Sequence, residues 1–235
     1  MSSKIIIAID GHSSTGKSTL ASMLSKYLSY KHINTGLMYR AVTLNAIRKQ
    51  FIKPYDANNF YFDSSKIINS LNSLEFQFLH KSKFGYIMFM NGEDVNIELK
   101  GPDVSKHVSH ISKMPLVRAE IVKMQQKIGL NKGVVMEGRD IGSVVFPNAE
   151  LKLFITASLD VRAKRRHEEL IALGMSVSMD EVLTNLKMRD FEDSNRQDSP
   201  LIRVKDAILI DNSHLSIKDQ FKLVTDLIEK KNIFS

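Results

Sequence analysis

The sequence has no cysteine, no tryptophan and only five prolines. It also has no apolar run near the ~20 residues a membrane-spanning helix requires. The missing cysteines exclude disulfides and thiolate metal sites and agree with a reducing, cytoplasmic setting. A polar loop follows the first short apolar run, so no signal peptide and no membrane association are expected. The seven histidines show no metal spacing, and the nearest pair, His107 and His110, has no partner signature. Aromatics make up 8% of the chain, which argues against a stacking surface for single strands. Two signatures of guanine-nucleotide switches fail as well: no D-x-x-G occurs, and "NKGV" at 131–134 lacks the aspartate of a base reader. Repeats, low-complexity tracts and linkers are missing too, so residues 1–235 read as one domain with a mobile sub-domain.

What is abundant is positive charge. The net charge is +7, which suggests an anionic partner, either nucleic acid or small phosphorylated ligands in a basic cleft. Lysines are scattered, whereas the ten arginines are not: none lies between Arg48 and Arg118, and five fall from Arg162 to Arg196. Guanidinium groups suit bidentate phosphate contacts, so this clustering favours a site over a coat.

Short apolar segments at 4–10, 133–137, 151–157 and 207–211 read as buried strands. Segments of helical period follow or separate them at 36–51, 115–128, 160–173, 178–192 and 216–231. That alternation implies an α/β fold with a parallel sheet covered on both faces. Residues from about 54 to 112 break the rhythm. "LEFQFLH" and "YIMFMN", joined through "KSKFG", predict a hairpin, and "VNIEL" (95–99) a short third strand of a small antiparallel insert.

Between the first strand and the first helix, Gly11-His12-Ser13-Ser14-Thr15-Gly16-Lys17-Ser18 satisfies G-x-x-x-x-G-K-[ST], with Thr19 following. The two glycines let the backbone wrap phosphate oxygens while N–H groups at the helix N-terminus face the negative charge. Lys17 adds a point charge near the β- and γ-phosphates, and the Ser18 hydroxyl is suited to magnesium. The turn is built for a nucleoside triphosphate.

After this loop come "INTGLMYRA" (33–41), "EGRDIGSVVFP" (137–147), "RAKRR" (162–166), "RDFEDSNR" (189–196) and "DNSHLS" (211–216), in that order. From end to end the chain resembles the bacterial cytidylate kinases. The resemblance implies a P-loop nucleoside monophosphate kinase fold with an antiparallel insert in the monophosphate-binding region (about 36–112) and a helical lid (about 158–196). It implies transfer of the γ-phosphoryl group of ATP to CMP or dCMP with Mg2+. It places the acceptor phosphate near Thr35, Arg40, Arg139 and Arg196, and the cytosine near Ser109, Arg118 and Asp140. The sugar falls to Arg189 and Asp193, and Arg162, Arg165 and Arg166 become lid residues acting in catalysis with Lys17. Four positions depart from the family's usual residues: Asn34 and Glu137 stand for aspartate, Leu37 for alanine and Ser14 for glycine. The first and third bear on the acceptor-phosphate turn, and Glu137 on the magnesium shell.

Read without the resemblance, several of these residues have plainer uses. Arg189, Asp193 and Arg196 at i, i+4 and i+7 share one helix face, which in isolation reads as a solvated, salt-bridged stripe. Arg162, Arg165 and Arg166 read as a basic helix face, Asp140 as a helix cap, and Ser109 as a surface serine. Arg118 early in a helix gains nothing from the dipole, which points to a specific partner. Three alternatives stand beside the main reading: another P-loop kinase of small metabolites, a basic NTP-dependent nucleic-acid binder, and a catalytically silent nucleotide-binding module, against which Lys17 and the arginine set argue. With no heptad seam, the chain is expected to be a monomer acting on small molecules rather than on nucleic acid.

Overall fold

The first strand shows how sequence becomes architecture. Ile6–Asp10 (β1) carries β-branched residues on both faces, and Ile7 and Ile9 on one face and Ala8 on the other are fully buried. Double-sided burial of this kind belongs to the middle of a parallel sheet. The computed structural model describes residues 4–56, 59–81 and 85–230. The described chain divides into two compact units, Met1–His32 with Gly129–Ser235, and Ile33–Ile128.

In the first unit, β1 leads through the glycine loop into α1 (Lys17–Leu28) and on to the start of β2 (Lys31–Asn34), within which the second unit begins. The second unit contains α2 (Thr35–Arg48), β3 (Ile52–Pro54), β4 (Phe60–Phe62) and α3 (Ser64–Ser70). It continues with β5 (Phe76–Lys81), β6 (Gly85–Met90), β7 (Glu93–Asp94), α4 (Pro102–Ser112) and α5 (Pro115–Gly129). The chain then supplies β8 (Val134–Gly138), a single π turn at Ile141–Val145, β9 (Leu151–Thr156), α6 (Leu159–Ala172), α7 (Met179–Asn195), β10 (Ile208–Asp211) and α8 (Ile217–Lys230). The main sheet has the order β10-β9-β1-β8-β2, with β10, β9, β1 and β8 parallel. This is the expected α/β architecture. Among the described residues no helix is long and apolar enough to cross a membrane.

The main sheet packs Ile7, Ile9, Val135, Leu153 and Ile155 against Leu20 and Leu24 of α1 and Val224 and Ile228 of α8. Each such side chain contributes about 1.5–3 kcal/mol by leaving water. The second unit has its own core around Met38, Val42, Ile67, Met88, Leu99 and Ile121, so Met88 and Met90 are core filler as expected. A small third cluster, Ala163, Val182 and Leu186, holds α6 to α7.

The structure corrects several sequence expectations. Helix α2 stops at Arg48, three residues early, because Gln50 takes a left-handed conformation (φ 56°) and Phe51 N–H turns back to the Ala46 carbonyl at 2.8 Å. The third insert strand is not 95–99 but Glu93–Asp94. Asn91 and Gly92, both at positive φ, make the tight turn, and Met90 pairs with Glu93. The Asn96 side chain then takes the place of a ladder, donating to Met88 O at 2.9 Å and accepting from Met88 N–H at 3.2 Å. Residues 82–84 of the expected "KSKFG" connection lie outside the described residues. Arg196 is not on the helix of Arg189 and Asp193: α7 ends at Asn195, and Arg196 is extended (ψ 144°).

Candidate active site

The glycine loop is shaped by close backbone approach. Gly11 has φ 146°, and a Cβ there would sit 2.0 Å from the Ile155 carbonyl oxygen of β9. Gly16, at φ 95°, lies against the Asn212 side chain, whose Nδ2 holds the Thr15 carbonyl at 2.8 Å. Ser14 also takes a left-handed conformation, φ 61°. That gives a physical meaning to the family's glycine at this position, since only glycine adopts it without strain.

Lys17 is buried, and its Nζ donates to the His12 carbonyl and to Thr15 Oγ1 at 3.3 Å. Burial, reinforced by the neighbouring Arg139 charge, lowers its pKa to about 7 in spite of Glu137, Asp10 and Asp193 nearby. Beside it, Ser18 donates to Glu137 Oε2 at 2.7 Å, and Glu137 Oε1 lies 2.9 Å from His32 Nε2. Burial by itself raises the Glu137 carboxyl, but His32, Lys17 and Ser18 together outweigh it and hold it below its usual range. The Ser18 hydroxyl and the Glu137 carboxylate are hard oxygen donors of the type magnesium prefers. Among the described residues there is no cluster of three or more acidic, histidine or cysteine side chains for a protein-only metal cage. A magnesium ion carried on nucleotide phosphates needs none.

At the end of β8, Arg139 reaches back to the loop. Its Nη2 donates to Ser13 Oγ at 2.7 Å and its Nε to Asp193 Oδ2 at 2.6 Å. Arg196 stands 3.9 Å from both Asp193 and Asp140. Asp193 loses solvation in this half-buried cluster, yet Arg139, Arg189 and Arg196 keep its pKa low. The structure therefore brings Arg139, Asp140, Asp193 and Arg196 together with Ser13, and the solvated-stripe alternative for Asp193 fails. Asp140 is buried, and its side chain makes no cap bond to the π turn after it. The turn is instead held by Asp10, whose two oxygens accept from Ile141 N–H and Gly142 N–H at 2.8 and 2.7 Å. Burial pushes the Asp10 carboxyl up to about 6 against those bonds.

The three arginines of α6 have different surroundings. Arg162 is buried and bidentate to Asp190, at 3.0 and 2.6 Å, and its Nε donates to the Ala157 carbonyl at 3.1 Å. Asp190 also approaches His12 Nδ1 at 3.3 Å. Although Asp190 is partly desolvated, His12 and Arg162 depress its pKa to about 2. Arg165 Nη2 donates to the Asn212 carbonyl at 2.9 Å. Arg166 is set apart from the loop groups, paired with Glu169 at 2.8 Å. A solvated face fits Arg166 alone.

The second unit carries the other expected substrate residues. Thr35 is buried at the start of α2, and Arg40 Nη1 donates to the Leu99 carbonyl at 2.8 Å and to Ser105 Oγ at 3.0 Å. Arg118 is buried, lies over the Tyr39 ring and donates to the Ser112 carbonyl at 3.2 Å. Ser109 is half-buried one helical turn before Ser112, which donates to its carbonyl. Asp10, His32, Asp190 and Asn212 escaped sequence reasoning. An acidic residue closing an apolar strand, or inside an Arg-Asp run, is a usable signal, whereas His32 leaves none.

A family profile described as cytidylate kinase matches residues 7–230. The cytidylate kinase of Flavobacterium psychrophilum is 48% identical over 226 residues, covering 96% of this chain and 98% of its own length. That of Parabacteroides distasonis is 46% identical, covering 92% and 93%. A crystal structure of an uncharacterised protein from Eubacterium ventriosum shares the fold at TM-score 0.52 and 12% identity, over 96% of this chain and 99% of that one. With a profile spanning almost the whole length and relatives near half identity, the chain belongs to the cytidylate kinase family.

Proposed function

We propose that this protein transfers the γ-phosphoryl group of ATP to CMP or dCMP, giving ADP and CDP or dCDP. The observation that carries the reading is the Arg139–Asp193–Arg196 cluster bonded to Ser13 of a complete phosphate loop. An acceptor phosphate with its second pKa near ~6 is largely ionised at pH 7 and needs no strong base. The chemical problem is repulsion between two anions, which positive charge and positioning solve.

In this scheme Gly11 to Thr19 wrap the donor phosphates through backbone N–H groups, with Lys17 pointing at the β- and γ-oxygens. Thr35, Arg40, Arg139 and Arg196 grip the acceptor phosphate. Arg189 and Asp193 take the sugar, and Ser109, Arg118 and Asp140 read the cytosine edge. Ser18, with Glu137 behind it, would hold magnesium, which would supply charge neutralisation of the phosphates. Arg162 orders the loop through Asp190, and Arg165 and Arg166 complete the positive surface of the lid, which excludes water on closing. The cysteine-free sequence supports a cytoplasmic setting, and the missing heptad seam a monomer.

A coupled assay for ADP with CMP, dCMP, UMP, AMP and shikimate as acceptors tests the reading. The cytidine nucleotides should dominate kcat/KM. Faster turnover of AMP or shikimate would replace the reading with that of another small-metabolite kinase.

A further inference from the structure

Glu137 is 3% exposed, and both of its carboxylate oxygens are committed: Oε1 to His32 Nε2 at 2.9 Å and Oε2 to Ser18 Oγ at 2.7 Å. An ionised carboxylate only accepts hydrogen bonds. The His32 nitrogen facing it therefore carries a proton, and the Ser18 hydroxyl hydrogen points inward. With its hydrogen spent on Glu137, the Ser18 oxygen offers lone pairs outward, and Ser18 is itself exposed. His32 sits in mid-strand on β2, which neighbours β8 in the sheet, so its ring is held by the strand and not by a loop.

The side-chain length at 137 matters here. An aspartate on the same backbone would stop one C–C bond short, ~1.5 Å, and would not span from the β2 ring to the α1 hydroxyl. The longer glutamate spans that gap, but it has one more rotatable bond to fix. We propose that His32 is a positioning residue for phosphoryl transfer, its Nε2–H holding the Glu137 carboxylate in the orientation that orders the Ser18 hydroxyl. This rests on the phosphoryl-transfer reading of the same site. His32 acts through Glu137 and touches no substrate in this scheme.

The test compares His32→Leu, which removes the donor, with His32→Gln, whose amide N–H2 restores one at similar reach. Each is assayed for kcat, for KM of ATP and CMP, and for thermal stability. His32→Leu should lower kcat by roughly 10- to 100-fold, the usual cost of losing a group that orients a metal-site ligand, with KM for CMP changed by less than about twofold. His32→Gln should recover at least about a third of wild-type kcat, because a hydrogen-bond donor is all the position requires. Should leucine prevent folding, His32→Asn, whose amide stops short of Glu137, takes its place. Independently of turnover, the imidazole 15N spectrum should show a protonated Nε2 in the wild type and a marked shift of that signal in Glu137→Gln. An unchanged kcat in His32→Leu, equal losses in the leucine and glutamine variants, or a His32 signal indifferent to Glu137→Gln would each overturn the proposal. A wild-type protein that fails to phosphorylate CMP would instead overturn the functional reading itself.

Discussion

A buried lysine with a pKa near 7 makes nucleotide binding a proton-uptake reaction. In the free protein Lys17 is desolvated and faces Arg139, and Glu137, Asp10 and Asp193 only partly offset this, so its pKa falls from 10.5 to about 7. A bound triphosphate places several negative charges beside the ammonium and restores its preference for the charged form. At pH 8 roughly 0.9 of the free lysines are neutral and at pH 6 about 0.1, so binding should take up ~0.9 and ~0.1 proton respectively. Charging Lys17 then costs about 1.4 kcal/mol at pH 8, and affinity should fall roughly tenfold per pH unit above 7. The triphosphate is already fully ionised at pH 8, since its last proton leaves near ~6, and contributes no proton of its own. Titration calorimetry of a non-hydrolysable ATP analogue at pH 8, in two buffers of different ionisation enthalpy, reads the uptake directly. Lys17→Met should abolish it. Uptake below about 0.3 proton, or equal uptake in the variant, would refute the assignment of Lys17 as the buried phosphate cation. The stability of the ligand-free protein has the opposite pH dependence. Between 7 and 10.5 the unfolded lysine binds a proton that the folded one does not, so the ligand-free protein gains stability as pH rises through that window. Asp10, raised from 3.8 to about 6, works oppositely: its contribution is greatest below 3.8 and is lost as pH rises to 6.

Three further outcomes are expected. Asp140→Asn adds a donor where an acceptor-only carboxylate would face cytosine's amino group, so the CMP-over-UMP preference in kcat/KM should fall by about 1–3 kcal/mol; an unaltered ratio means the base is read elsewhere. Ser14→Gly relieves a left-handed serine (φ 61°) and should raise Tm by roughly 1–3 °C, whereas a lower Tm would show that the Ser14 side chain makes a stabilising contact. Gly11→Ala forces a Cβ to within 2.0 Å of a backbone oxygen, and urea unfolding should show a loss of about 3 kcal/mol or more; a loss below about 1 kcal/mol would mean the loop shifts freely.

The sequence by itself determined the parallel sheet, because runs such as "IIAID" and "VVMEG" are buried on both faces and their period and length are local properties. It determined the phosphate loop for a similar reason: glycine conformation, helix N-terminus and lysine all lie within eight adjacent residues. It did not reveal that the family's glycine position at Ser14 is left-handed, nor that Asn96 ends the third insert strand after two residues, since both follow from backbone angles and side-chain bonds. Only the tertiary structure decided which charges work together. Arg162 and Asp190 are 28 residues apart, Arg139 and Asp193 are 54 apart, and Ser18 and Glu137 are 119 apart. Their pairing depends on which strand ends and helix starts the sheet order makes neighbours. A charge has no periodicity that announces its partner, whereas a buried face does. The arginines of α6 carry similar local patterns, yet burial makes Arg162 an internal clamp and leaves Arg166 paired on the surface. For the same reason His32, an ordinary strand residue by sequence, stands behind the Ser18–Glu137 contact: β2 lies beside β8 only once the sheet has formed.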